Sequence, residues 1–77
     1  MTTNEFIDAV KSIGYKVNQS NKNVTRRKHK IQITREGQRH PIAWVFTNEM
    51  YSMRSLGVDA KTYDLLVDYS RTPINER

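Results

Sequence analysis

The stretch that decides the fold is KIQITREGQRHPIAWVF, residues 30–46, in which two alternating segments flank a turn signal. Alternation of apolar and polar side chains is typical of strands with one buried face. The pair Glu36-Gly37 predicts a hairpin turn, because glycine tolerates the positive φ of tight turns. A two-residue loop pairs Ile31 with Ile42 and collects the apolar side chains on one face. We therefore expect a core face that contains Ile31, Ile33, Ile42, Trp44 and Phe46.

The opposite face of this predicted hairpin is basic. It holds the residues Lys28, Lys30, Gln32, Thr34, Arg39, Pro41, Ala43 and Val45. A loop of odd length, unless a bulge intervened, would divide the apolar set between the two faces, so the even loop is preferred. Because the predicted core includes Trp44 and Phe46, stacking of nucleic-acid bases on aromatic side chains is not expected.

A first helix is predicted over residues 3–13. Thr2 and Glu5 have the spacing of a capping box, in which each residue satisfies a backbone amide of the other. The apolar residues of the segment form one stripe at helical spacing, namely Phe6, Ile7, Val10 and Ile13. Gly14 follows, where a glycine commonly ends a helix.

A second helix is predicted over residues 60–70, with Asp59 as its N-cap. Its expected apolar stripe consists of Tyr63, Leu66, Val67 and Ser70, widened by Leu65 and Tyr69. Thr72-Pro73 ends the helix, since the residue before proline avoids helical backbone angles. The same pair also has the residue types that start a new turn, with threonine as cap and proline at the first position.

These elements predict one small α+β domain over residues 1–77, in the order α-β-β-β-(β)-α. Residues 15–17 supply a short first strand, and residues 50–56 fit either an edge strand, which is preferred, or one or two helical turns. Both helices are expected on one face of an antiparallel sheet, which gives two layers. Residues 18–28 are predicted to form a mobile basic loop, and residues 72–77 a C-terminal tail.

The distribution of charge indicates a polyanionic partner. The net charge is +5, and residues 9–35 hold eight Lys or Arg side chains and no acid. Such asymmetry favours nucleic-acid binding through phosphate contacts, although a small domain also needs net charge for solubility. The residues predicted to make these contacts are Lys22, Arg26, Arg27, Lys28, Lys30, Arg35 and Arg39.

Catalysis, cofactor binding and metal binding have little support in the sequence. The chain has no cysteine, and its three glycines are isolated, so neither a thiol nucleophile nor a glycine-rich phosphate loop is available. In the predicted register His29 and His40 lie roughly 13 Å apart, too far to share one ion. No apolar run approaches the roughly 20 residues that span a bilayer. We therefore predict a cytoplasmic protein that is not an enzyme and does not enter the membrane.

Four segments carry a resemblance: residues 6–10, Gly14-Tyr15, residues 42–45 and residues 65–77, which end in Thr-Pro-Ile-Asn-Glu-Arg. In these segments the chain resembles a group of small phage and prophage proteins of low-GC Gram-positive bacteria. Those proteins often end in a helix followed by Thr-Pro-x-x-Glu-Arg. The resemblance implies a phage-encoded protein in the bacterial host cytoplasm. It carries no activity, cofactor or site residues.

The sequence thus favours a monomer or weak dimer that binds nucleic acid non-specifically or with a modest preference. The alternative is a phage-encoded adaptor or inhibitor that binds a host or phage protein. A basic face would suit an acidic protein partner, and an edge strand around Met50, Tyr51 and Met53 could pair with a strand of that partner.

Overall fold

The computed structural model describes residues 1–20 and 29–77, which form two helices on a four-stranded antiparallel sheet. The strands follow one another in the sheet in the order β1-β2-β3-β4. The predicted two-layer α+β fold is confirmed, and residues 50–56 contribute the fourth strand. No helix in the described part is long and apolar enough to cross a membrane. The elements are α1 (Thr3–Ile13), β1 (Lys16–Ser20), β2 (Lys30–Thr34), β3 (Ala43–Phe46), β4 (Met53–Ser55), α2 (Ala60–Arg71) and a short 3-10 helix (Ile74–Glu76).

The core lies between the two helices and one face of the sheet, called the inner face. Each helix contributes two fully buried apolar side chains, and the sheet contributes four from β2 and β3. The rings of Phe6 and Tyr69 stack at a centroid distance of 4.7 Å and join α1 to α2. Aromatic pairs of this kind stabilise a core beyond the area that they bury. The buried set is Phe6, Val10, Ile31, Ile33, Ala43, Val45, Leu66 and Tyr69.

The predicted ends of α1 are confirmed. Thr2 and Glu5 form the capping box, and the hydrogen bond from the Thr2 amide lowers the pKa of Glu5. Gly14 follows the helix at φ 120°, a backbone angle that side-chain-bearing residues rarely adopt. This capping explains why the helix begins and ends where the sequence indicated.

Helix α2 begins at the predicted cap and turns most of the predicted stripe to the core. Asp59 accepts hydrogen bonds from Thr62 and from the Tyr15 hydroxyl (2.7 Å), and these lower its pKa to about 2. Leu66, Tyr69 and Ser70 are buried as predicted. The prediction was wrong for Tyr63, whose side chain is 48 % exposed, and Thr62 is buried in addition. A buried threonine that bonds to the cap is polar, so the apolar pattern did not reveal it.

The predicted register of the central hairpin was also wrong. A turn does form at Glu36-Gly37, with Gly37 at φ 81°. However, Ile31 pairs with Val45, three residues beyond the expected Ile42. Pro41 has no amide hydrogen to donate to the ladder. We attribute to this proline the start of β3 at Ala43 rather than at residue 40.

A shift by an odd number of residues exchanges the two faces of a strand. Ala43 and Val45 therefore point into the core, although they were expected on the basic face. Trp44 and Phe46, expected in the core, point away from the helices. One face of the hairpin packs in the core as predicted, but β3 contributes Ala43 and Val45 to this face and not Trp44 and Phe46.

Strand β1 is longer than predicted. Residues 18–20, expected in the loop, belong to the strand, and Asn18 pairs with Gln32 of β2. Pairing with a neighbouring strand overrides the low strand propensity of asparagine. The rest of the predicted loop, residues 21–28, lies outside the described residues.

The segment after α2, predicted as a tail, packs against the domain. Thr72 is the C-cap of α2 and does not cap a new helix; Pro73 precedes the 3-10 helix. The guanidinium of Arg77 donates to the backbone carbonyls of Phe46 (2.7 Å), Glu49 (3.2 Å), Ser70 (3.0 Å) and Thr72 (2.8 Å). It also lies 4.7 Å from the centre of the Tyr69 ring. This one side chain joins β3, the turn after it and the end of α2.

Candidate functional site

The side of the sheet away from the helices is the candidate site, and we call it the outer face. Paired residues of an antiparallel sheet point to the same side, so the strand pairing identifies its members. None of the helices in the described part packs on it, since their buried residues all join the inner face. The outer face consists of Lys16, Asn18, Lys30, Gln32, Thr34, Trp44, Phe46 and Arg54.

One row of side chains crosses all four strands at the middle of the outer face. The pairing aligns Asn18, Gln32, Trp44 and Arg54 in this order. Side chains opposite one another in such a ladder have Cβ atoms about 4.5–5.5 Å apart. The row therefore puts two side-chain amides on one side of the indole and one cation on the other side.

The two aromatic residues of the outer face lie on the same strand. Trp44 and Phe46 are two residues apart on β3, a distance of about 7 Å along the strand, and both are partly buried. The Nζ atom of Lys30 lies 5.7 Å from the centre of the Trp44 ring, a cation–π contact. An aromatic surface and a positive charge thus occur together in the middle of the sheet.

The outer face is positively charged. Its strand residues include Lys16, Lys30 and Arg54 and no Asp or Glu. The two helices expose four acids, Glu5, Asp8, Asp64 and Asp68, against three bases, Lys11, Lys61 and Arg71, so their surface is close to neutral. The two sides of the domain therefore differ in charge, and an anionic ligand is attracted to the sheet side.

A shallow cleft extends the outer face at the end of β2. It has a volume of about 300 Å³ and lies beside the exposed side chain of Arg39. This arrangement adds a fourth cation to the border of the outer face. The lining residues are Lys16, Val17, Asn18, Thr34, Gln38 and Arg39.

The structure brings together only some of the residues predicted to contact nucleic acid. Lys30 lies on the outer face and Arg39 on its border. Arg35 does not reach this face, because its Nη2 atom donates to the carbonyl of Gly57 at 2.6 Å. The remaining four candidates, Lys22, Arg26, Arg27 and Lys28, lie outside the described residues.

Sequence reasoning missed three residues that are prominent on the outer face. Lys16 and Arg54 lay on strands whose partners were not assigned, and Trp44 was placed in the core. The signal that could have found Trp44 was Pro41, which breaks the ladder before β3. The sequence does not show how many residues this interruption takes, so it does not show which alternate residues of β3 face the core.

No other constellation in the described part suggests chemistry. Among residues 1–20 and 29–77, no three His, Asp or Glu side chains lie close enough together to hold a metal ion. The one strongly shifted carboxyl, that of Asp59, has hydrogen bonds that explain its low pKa and belongs to a helix cap. Comparisons of the chain with protein-family models, curated proteins and solved structures found no match.

Proposed function

We propose that this protein binds nucleic acid through phosphate contacts made by the outer face. The observation that supports the proposal is the acid-free group of Lys16, Lys30 and Arg54 on one side of the sheet, with Arg39 at its border. Lysine and arginine side chains held on adjacent strands provide several positive charges at fixed spacing. Phosphates of a polynucleotide repeat at regular intervals and can contact several of them at once.

The number of cations determines how strongly salt should weaken binding. Four phosphates neutralised by the four described cations correspond to a log–log salt slope of about −3.6 on duplex and about −2.8 on single strands. If residues of the segment 22–28 also contribute, as the sequence predicts, the slope becomes steeper. The salt dependence therefore tells how many contacts form.

The test is fluorescence anisotropy of labelled DNA and RNA across a salt series. The double variant Lys30→Glu and Arg54→Glu should bind weakly and with a slope reduced by about two contacts, to about −1.8 on duplex. The matched control is Lys11→Glu with Lys61→Glu, the same change in net charge at exposed positions of the helices. Equal loss in both double variants would mean that only net charge matters.

The segment before β2 needs a variant of its own. Arg26→Glu, Arg27→Glu and Lys28→Glu together remove the predicted contacts in that segment and leave the outer face unchanged. A loss of affinity comparable to that of the outer-face variant would assign both regions to the interface. Unchanged binding would restrict the interface to the sheet.

A second candidate is an adaptor or inhibitor that binds another protein. It is favoured by the position of β4 at the edge of the sheet, flanked by the exposed side chains of Tyr51 (74 %) and Leu56 (55 %). An edge strand offers backbone groups to a strand of a partner. A pull-down from nuclease-treated bacterial lysate, compared with the variant Met53→Pro, tests this alternative.

The proposed context is a phage-encoded protein that acts in the cytoplasm of the bacterial host as a monomer or weak dimer. It follows from the resemblance of the core segments and of the final Thr-Pro-x-x-Glu-Arg to small phage and prophage proteins. Sedimentation of the purified protein at several concentrations tests the oligomeric state.

A further inference from the structure

We infer that the outer face prefers single-stranded nucleic acid and that Trp44 stacks on an unpaired base. This inference rests on the proposed nucleic-acid binding and names the form of polynucleotide that the same site takes. Aromatic side chains among cations, on a sheet face that none of the described helices covers, are suited to bases that are not paired. Bases inside a duplex are already stacked on one another and do not offer their faces.

The position of Trp44 supports base stacking. Its ring lies at the centre of the outer face, with Gln32 on the neighbouring strand β2 and Arg54 on β4. A base that stacks on the indole has the Gln32 amide within reach of its edge and positive charge near its phosphates. Side-chain amides are common partners of base edges, and arginine is a common partner of phosphates.

The spacing of the aromatic residues also supports base stacking. Phe46 follows Trp44 by two residues on the same strand, so the two residues lie about 7 Å apart along β3 and point to one face. An extended single strand of nucleic acid can therefore place two successive bases on Trp44 and Phe46. Asn18 and Gln32 border this surface from β1 and β2.

The cation–π contact of Lys30 with Trp44 is compatible with base stacking. The ammonium lies 5.7 Å from the ring centre, at the partly exposed surface of the sheet. A cation–π contact at an exposed site is weaker than the stacking of a base on an aromatic ring. An incoming base can therefore displace the ammonium, which then contacts an adjacent phosphate.

The test uses the intact chain and four labelled probes of 12 nucleotides or 12 base pairs. These are oligo(dT), oligo(U), an abasic strand with the same number of phosphates, and a duplex. Because Trp44 is the only tryptophan, its fluorescence reports on this site alone. We expect quenching by oligo(dT) or oligo(U), and binding of these two that is tighter than that of the abasic strand and the duplex.

The decisive variant is Trp44→Leu, which keeps an apolar side chain and removes the aromatic ring. It should weaken binding of oligo(dT) and oligo(U) about 5- to 100-fold, while binding of the abasic strand changes less than about twofold. Trp44→Phe should recover part of the loss. Tyr63→Leu, an exposed aromatic residue of α2, is the control and should have no effect. Circular dichroism establishes that each variant is folded.

The possible failures are distinguishable. If every probe binds with the same affinity and Trp44→Leu weakens none, the stacking inference is wrong while phosphate binding stands. If no probe binds at 50 mM salt, both proposals are wrong. If the duplex binds more tightly than both single strands, the inference is overturned in favour of backbone contacts alone.

Discussion

Replacement of Arg77 by alanine should remove a large share of the stability of this domain. Three of its guanidinium hydrogen bonds, to the carbonyls of Phe46, Ser70 and Thr72, are 2.7–3.0 Å long and part-buried. At about 1 kcal/mol net for each, they contribute about 3 kcal/mol. The contact with the Tyr69 ring adds about 0.5–1 kcal/mol. The expected loss is therefore about 3–4 kcal/mol.

This loss is large compared with the total. A chain of 77 residues has an unfolding free energy of roughly 4–12 kcal/mol. The assay is urea denaturation followed by circular dichroism. With a slope of about 1 kcal/mol per molar urea, the midpoint of Arg77→Ala should fall by about 3 M. Arg77→Lys should recover little, because a single ammonium cannot reproduce the geometry of the guanidinium.

Arg71→Ala is the matched control for this measurement. Arg71 lies in the last turn of α2 and is exposed. Its replacement by alanine removes one positive charge, as Arg77→Ala does. Only its interaction with the helix dipole is lost, about 0.3–0.5 kcal/mol. A midpoint for Arg77→Ala that coincides with that of Arg71→Ala would refute the role assigned to the guanidinium.

Two further predictions concern the cap of α2 and the register of β3. Asp59→Asn keeps a capping side chain but removes a charge that the fold holds at a pKa of about 2, below the ordinary 3.8. Because the pKa of the Asp59 carboxyl is lower in the folded state, the wild type should have a higher melting temperature than Asp59→Asn above pH 4. The difference in melting temperature should vanish as the pH falls from 3.8 to 2. A difference that persists at pH 2 contradicts this explanation. Val45→Asn should lower the unfolding free energy by more than about 3 kcal/mol, and Trp44→Asn by no more than about 1 kcal/mol, because Val45 is fully buried whereas Trp44 is only partly buried. The opposite ranking in urea denaturation would contradict the register.

Features that depend on nearby residues were predictable from the sequence. The capping box of Thr2 and Glu5, the end of α1 at Gly14 and the cap at Asp59 all satisfy backbone amides within a few residues. Whether these helix caps form does not depend on how the rest of the chain folds. The two-layer fold follows from the same elements, since each has one apolar side to bury.

The candidate site was less predictable because it depends on register. Whether Trp44 faces the core or the outer face depends on the number of residues between β2 and β3, and the turn at Glu36-Gly37 does not determine this number. Four residues, 39–42, separate the turn from β3. An even-length loop was preferred because it collected the largest apolar side chains of the hairpin on the core face. That preference treated Trp44 and Phe46 as core residues.

The composition of β3 argues that these aromatic residues have a role outside the core. All four residues of the strand, Ala43 to Phe46, are apolar, a pattern typical of strands covered on both faces. Yet the helices of residues 1–20 and 29–77 cover only the inner face, where the strand presents the small side chains of Ala43 and Val45. The largest side chains point the other way, although aromatic residues stabilise a core most when they are buried. This arrangement is the one that the proposed stacking of a base on the outer face requires.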